Sequence, residues 1–133
     1  MKNSIAERIS DFLKGFPPFN LLKEKHLLEI ASEVNIIYLE KGDTLYTKDE
    51  PFHDYFYAVR NGGVSLYHQD ADGSKHMVSI SDAGDIFEVR PLIIKENYKL
   101  TAIANEESIV YAIPIDLFQS VTKNNVDVYK YLI

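Results

Sequence analysis

Between residues 35 and 113 the chain passes through seven short segments rich in Ile, Val, Tyr and Phe. They are NIIYL (35–39), TLYT (44–47), YFYAV (55–59), VSLYH (64–68), HMVSI (76–80), YKLTAIA (98–104) and SIVYAI (108–113). β-Branched and aromatic side chains suit a pleated, half-buried surface, so each segment reads as a strand. Turn signals separate them at Lys41-Gly42-Asp43, Asn61-Gly62-Gly63, Asp72-Gly73 and Ala83-Gly84-Asp85. Seven or eight strands at this spacing predict a β-sandwich, β-roll or jelly roll.

Helical patterns flank that region. Ser4-Ile5-Ala6-Glu7 has the spacing of a capping box, and Ile5, Ile9, Phe12, Leu13 and Phe16 then recur on one helical face until Pro17-Pro18. A second helix is expected from Asn20 as cap through Leu21, Leu22, Leu27, Leu28 and Ala31 to about Glu33. After Pro114 the pattern is helical again, with Leu117, Phe118 and Val121, then Val126, Val128, Tyr129, Tyr131, Leu132 and Ile133. The expected fold is mainly β with flanking helices. It has an N-terminal helix pair at about 4–33, an eight-stranded β-roll or jelly roll at about 34–113 and C-terminal helices at about 115–133, all in one domain spanning 1–133. Tyr131-Leu132-Ile133 is apolar and has no capping glycine, which suggests a fragment of a longer chain whose last helix leads to another domain.

A chain of 133 residues buries a core without staples, and this one has no cysteine for a disulfide, a thiolate metal site or a thiol nucleophile. The formal charge of −6 argues against a surface for nucleic acid or anionic lipid. Residues 1–16 contain Glu7 and Asp11 and no sustained apolar run, unlike a secretory signal or a membrane span. The expected location is the cytoplasm.

The order of helix pair, β-roll with a short inserted helix and closing helices resembles the cyclic nucleotide-binding domain family over nearly the whole chain. The residues that carry the resemblance are Phe16-Pro17-Pro18-Phe19, Lys41-Gly42-Asp43-Thr44-Leu45, residues 57–64 (YAVRNGGV), Gly84-Asp85-Ile86-Phe87 and Tyr111-Ala112-Ile113-Pro114. Function in that family rests on a phosphate-binding cassette resembling Phe-Gly-Glu-x-Ala-Leu, followed some six residues later by Pro-Arg-x-Ala-Thr. The resemblance marks Gly84, Phe87, Glu88, Val89, Arg90, Pro91, Leu92, Tyr98, Lys99 and Thr101 as the candidate ligand-binding residues. Leu92 and Thr101 fit the pattern. Glu88 stands at the family glycine, Val89 at the glutamate, Pro91 at the alanine, Asn97 at the proline and Tyr98 at the arginine.

Each departure weakens a cyclic phosphate site. Val89 cannot accept a ribose hydroxyl, and Tyr98 offers one neutral hydroxyl in place of a bidentate guanidinium. Pro91 removes a backbone N–H from the turn whose amides would cradle the anion, and Glu88 adds negative charge. Apart from Glu88, residues 87–92 and 98–101 resemble the cassette of a bacterial subfamily. There, a divergent domain of this kind precedes a CBS pair and a nucleotidyltransferase domain. The resemblance then implies weak or no cyclic AMP binding and another small anionic ligand met by Arg90 or Lys99. The alternative for both cations is a solvated surface.

Of the four histidines, His68 and His76 flank the Asp72-Gly73 hairpin and are expected to face each other. A cupin-type metal site needs His-x-His on one strand, and no such pair occurs. Tyr55, Tyr57 and Tyr67 are expected in the sheet as core or cross-strand pairs. No G-x-S-x-G, H-E-x-x-H or P-loop is present. The reading is a non-enzymatic regulatory module without a cofactor or metal, signalling to an effector domain through residues 115–133. The alternatives are a ligand-free interaction scaffold, a homodimer joined through a Val128, Tyr131 and Leu132 stripe, and, at lowest weight, a cupin-like metal enzyme.

Overall fold

The structure, a computed structural model, describes residues 4–133. Eight strands form where the alternating segments lie: β1 (Asn35–Leu39), β2 (Thr44–Tyr46), β3 (Tyr55–Asn61), β4 (Gly63–Gln69), β5 (Lys75–Asp82), β6 (Ile86–Phe87), β7 (Thr101–Ala104) and β8 (Ser108–Pro114). They pair antiparallel into two four-stranded sheets, ordered β1-β8-β3-β6 and β2-β7-β4-β5. This is a β-roll, one of the three architectures the spacing allowed and the one the resemblance implied. The two-residue β6 lay outside the seven predicted segments; Ile86 and Phe87 are strand only because they pair with Ala58 and Tyr57.

Strand β3 explains the architecture. Successive side chains point to opposite faces, and both faces of this strand are covered. Phe56 and Ala58 pack toward the helices, while Tyr57 and Val59 face the second sheet. Its apolar run is therefore unbroken rather than alternating. The turn into β4 needs Gly62, with φ of 83°; a Cβ there would lie 2.3 Å from the Glu107 carbonyl oxygen.

The helices are α1 (Ser4–Leu13), α2 (Glu24–Ser32), α3 (Ile115–Thr122) and α4 (Val126–Leu132). Together with the outer face of the first sheet they enclose one core, containing Phe19, Ile30, Phe56, Ile113, Phe118 and Val128. The sequence reading needs three corrections here. Ser4 is already inside α1 rather than capping it, and the buried face is Ala6, Ile9, Ser10 and Leu13, so Ile5 is exposed. Asn20 belongs to a single 3-10 turn, Phe19–Leu21, and α2 starts only after Lys23, because the chain is extended at Leu22 and Lys23. Val128 is fully buried and Leu132 packs on the same core while Tyr131 is exposed, so two of the three residues of the expected dimer stripe are used within the chain. Asn125 caps α4, its Oδ1 accepting the Val128 N–H at 3.1 Å. No helix among the described residues is long and apolar enough to cross a membrane.

Candidate functional site

The cassette segment leaves β5 through a turn anchored on β3. Gly84 donates its N–H to the Val59 carbonyl at 2.9 Å, and Val59 returns one to Asp85 at 3.0 Å. Gly84 has φ of 92°, and a Cβ there would sit 2.4 Å from Cε1 of Phe16. Phe16 and the turn are thus pressed together, which only glycine allows.

Glu88 follows β6 with φ of 59°, a left-handed conformation that favours glycine. Its Oε2 accepts the Tyr46 hydroxyl at 2.7 Å. Burial pushes the Glu88 carboxyl above its ordinary value, opposed by that hydrogen bond and by the charge of Arg90. Burial, then the Glu88 charge, pushes the Tyr46 phenol far up.

Tyr98 is fully buried inside the roll. Its ring stacks on Tyr46 with centroids 3.8 Å apart, and its hydroxyl oxygen accepts the His53 backbone N–H at 2.8 Å. Tyr57 stacks on Phe87 at 5.3 Å, and Tyr46 stands 6.0 Å from Tyr57. These four rings fill the interior beneath the cassette. Burial raises the Tyr57 and Tyr98 phenols as well. His53 closes the outer edge of the block, with Nε2 on the Glu50 carboxylate and Nδ1 3.4 Å from the Tyr57 hydroxyl.

The other candidates separate. Pro91 and Leu92 are buried in a 3-10 turn (Arg90–Leu92), and Leu92 and Val89 pack on the helical core. The Leu92 carbonyl accepts Nε2 of Gln119, on α3, at 3.0 Å. Thr101 is buried, with Oγ1 accepting the Lys48 N–H at 3.0 Å. Arg90 and Lys99 are exposed and converge on one carboxylate, Oε2 of Glu96, at 3.2 and 3.6 Å.

An open cleft of about 590 Å³ adjoins the segment, lined by Gly84, Phe87 and Glu88 together with residues 79–81 of β5, Leu66, Phe16 and, from α4, Tyr131. Arg90, Tyr98, Lys99 and Thr101 take no part in that lining. The structure thus brings three of the ten candidates to the cleft and places the rest in the core or at the surface. Sequence reasoning missed Tyr46 and His53, and put Tyr131 in an association stripe and not beside this cleft. Nothing in their local pattern distinguishes them from ordinary sheet, loop or helix residues.

His68 and His76 do face each other across the hairpin, with Asp70 Oδ1 3.4 Å from one and Oδ2 2.8 Å from the other. Among the described residues no group of three or more His, Asp or Glu is placed to hold a metal ion.

A sequence model described as cyclic nucleotide-binding domain matches residues 36–125. Neuropathy target esterase sws of Drosophila ananassae is 27% identical over 126 residues, covering 87% of this chain, and its counterpart in Drosophila pseudoobscura pseudoobscura is 28% identical over the same length. The chain spans only 8% of either relative's length. Among solved structures, the sensor domain of the transcriptional regulator DNR from Pseudomonas aeruginosa superposes with a TM-score of 0.89 at 20% identity, over 98% of this chain and 87% of that one. The regulatory subunit of a cAMP-independent protein kinase A from Trypanosoma brucei, as a mutant bound to cAMP in the A site, gives 0.81 at 19% identity, over 96% of this chain and 47% of that one. At these identities the likeness concerns the fold.

Proposed function

The chain belongs to the cyclic nucleotide-binding domain family, and on that premise we propose that residues 1–133 form a regulatory module that has lost cyclic AMP and acts through its C-terminal helices. The observation that carries this reading is Tyr98. At the position matching the family's phosphate-binding arginine, this chain has a neutral side chain that is stacked on Tyr46 and bonded to the backbone of His53. The left-handed Glu88, at the position matching the family glycine, supports the same residue-by-residue match.

The output side has a physical link. Gln119 of α3 holds the Leu92 carbonyl, and Leu92, Ile115, Phe118 and Val128 share one core, so a displaced cassette turn displaces the helices. The effector is a linked or partner domain; the resemblance of residues 87–92 and 98–101 supports the bacterial subfamily with a CBS pair and a nucleotidyltransferase domain. The esterase activity in the fly relatives' name is not proposed for a segment matching 8% of their length. A regulatory subunit described as cAMP-independent, yet bound to cAMP as a mutant, has this fold. That supports the reading that this roll can be retained while the response to cyclic AMP is altered by a few substitutions. An anion at Arg90 or Lys99 would have to displace Glu96, so the small ligand of this module is sought in the open cleft.

Calorimetric titration with cyclic AMP, paired with native mass spectrometry of protein made in a host containing it, tests the reading. No saturable heat and no nucleotide adduct are expected; a stoichiometric adduct overturns it.

A further inference from the structure

We propose that the open cleft beside Glu88 binds a small cationic amine carried on an apolar body, an occupant opposite in charge to a cyclic phosphate. This rests on the reading above, that the cassette no longer serves a cyclic nucleotide.

Charge decides the class of ligand. The ionisable carboxylates of the lining are Asp85 and Glu88, and the lining contains no Lys, Arg or His. Asp85 is exposed, and its Oδ2 is occupied by the Asp82 N–H at 2.8 Å. Glu88 is different. It is half-buried, Tyr46 engages only Oε2, and no ion pair holds it among the described residues. The charge of Arg90 acts on Glu88 without contact, and burial outweighs it, driving the affinity of the carboxyl for a proton up. An ammonium group supplies a cation in direct contact and a charge-assisted hydrogen bond. A phosphate meets repulsion at the same point.

The remainder of the lining suits the body of such a molecule. Ser79 and Ser81 of β5 offer hydroxyl oxygens as further acceptors for an N–H, and the Phe16 and Tyr131 rings provide apolar walls with faces that attract a cation. The volume of about 590 Å³ falls within the roughly 300–1,000 Å³ common for small-molecule sites. Because Tyr131 belongs to α4, an occupant touches the cassette and the terminal helix together. Ligand binding and helix position are then linked through one ring.

The test is calorimetric titration of the intact chain with tryptamine, with its neutral alcohol analogue tryptophol, and separately with cyclic AMP. Tryptamine is expected to bind one per chain and about tenfold more tightly than tryptophol, the discrimination of one charge-assisted contact. Glu88→Gln, with folding checked by circular dichroism, is expected to abolish that preference. Tyr131→Ala, at a side chain on the rim of the cleft, is expected to weaken tryptamine several-fold. Absence of amine binding, equal affinities for the two analogues, a folded Glu88→Gln that keeps the preference, or unchanged binding by Tyr131→Ala overturns the proposal. Nucleotide binding instead overturns the reading on which it rests, so the two failures are distinguishable.

Discussion

Tyr98 lies flat against Tyr46, with ring centroids 3.8 Å apart and ring planes 14° apart. The two residues are 52 positions apart in sequence, on neighbouring segments joined by backbone hydrogen bonds between Tyr98 and residues 49 and 50, and neither ring reaches solvent. The stack fills this part of the interior with aromatic surface. It also carries polar atoms that need partners: the Tyr46 hydroxyl finds Glu88, and the Tyr98 hydroxyl finds the His53 N–H.

Truncation at Tyr98 therefore separates packing from hydrogen bonding. Tyr98→Ala is expected to cost about 3–5 kcal/mol, as for other large aromatic truncations in a core. Tyr98→Phe keeps the stack and leaves the His53 N–H without its acceptor, at a cost of about 1–3 kcal/mol. Urea unfolding of both variants measures the two values. A Phe variant as stable as the parent would show that water replaces the hydroxyl.

Stability should depend on pH through Glu88. Its folded-state affinity for a proton is raised by burial, so above the ordinary carboxylate value of about 4.3 the native state holds more protons than the unfolded state. Stability from this group is then fully present below that value and is lost as pH rises through the higher folded value. Glu88→Gln removes the titration. Denaturant midpoints of parent and variant, compared from acid to neutral pH, should diverge in favour of the variant as pH rises; parallel profiles would refute the assignment.

Gln119 should tie the cassette turn to α3. Gln119→Ala removes one side chain to backbone hydrogen bond, worth about 0.5–1.5 kcal/mol, and is expected to loosen the turn locally. The Ile93 and Ile94 amides, which donate to the Arg90 carbonyl at 2.9 and 2.8 Å, should exchange hydrogen faster in the variant. Amides in β3 and β8 should be unaffected. Unchanged exchange at Ile93 and Ile94 means the turn is held by the packing of Leu92 alone.

Val128 should act in folding and not in association. Its side chain is fully buried, and Val128→Ala removes two methylene equivalents at about 0.8 kcal/mol each, with a cavity term besides. A loss of about 2 kcal/mol is expected. Sedimentation of the parent and the variant should give the same species at equal concentration. A change of assembly state without loss of stability would restore the interaction-scaffold reading.

The strands were legible in the sequence because their determinants are local. Residues 35–39, 55–59 and 108–113 alternate or run apolar with β-branched and aromatic side chains, and glycine turns separate the segments. The resemblance to a cassette was drawn from a similar local signal: Gly84, Phe87, Leu92 and Thr101 stand at matching intervals. Local pattern misled where two nearby rules competed. Asn20 suits a helix cap, yet the chain stays extended at Leu22 and Lys23 and α2 begins later. Val128, Tyr131 and Leu132 share a helical spacing, but spacing does not say whether the face they form meets solvent or the chain's own core.

By itself, the sequence determined the order of elements and the side chains that stand at residues 88–98. Only the tertiary structure decided what those side chains meet. The partners of Tyr98, Glu88, Leu92 and the cleft come from Tyr46, His53, Gln119 and Tyr131, which lie 27 to 52 positions away along the chain. Contacts at such separations follow from how the two sheets and the terminal helices close on one another. They leave no periodic trace in the residues that make them.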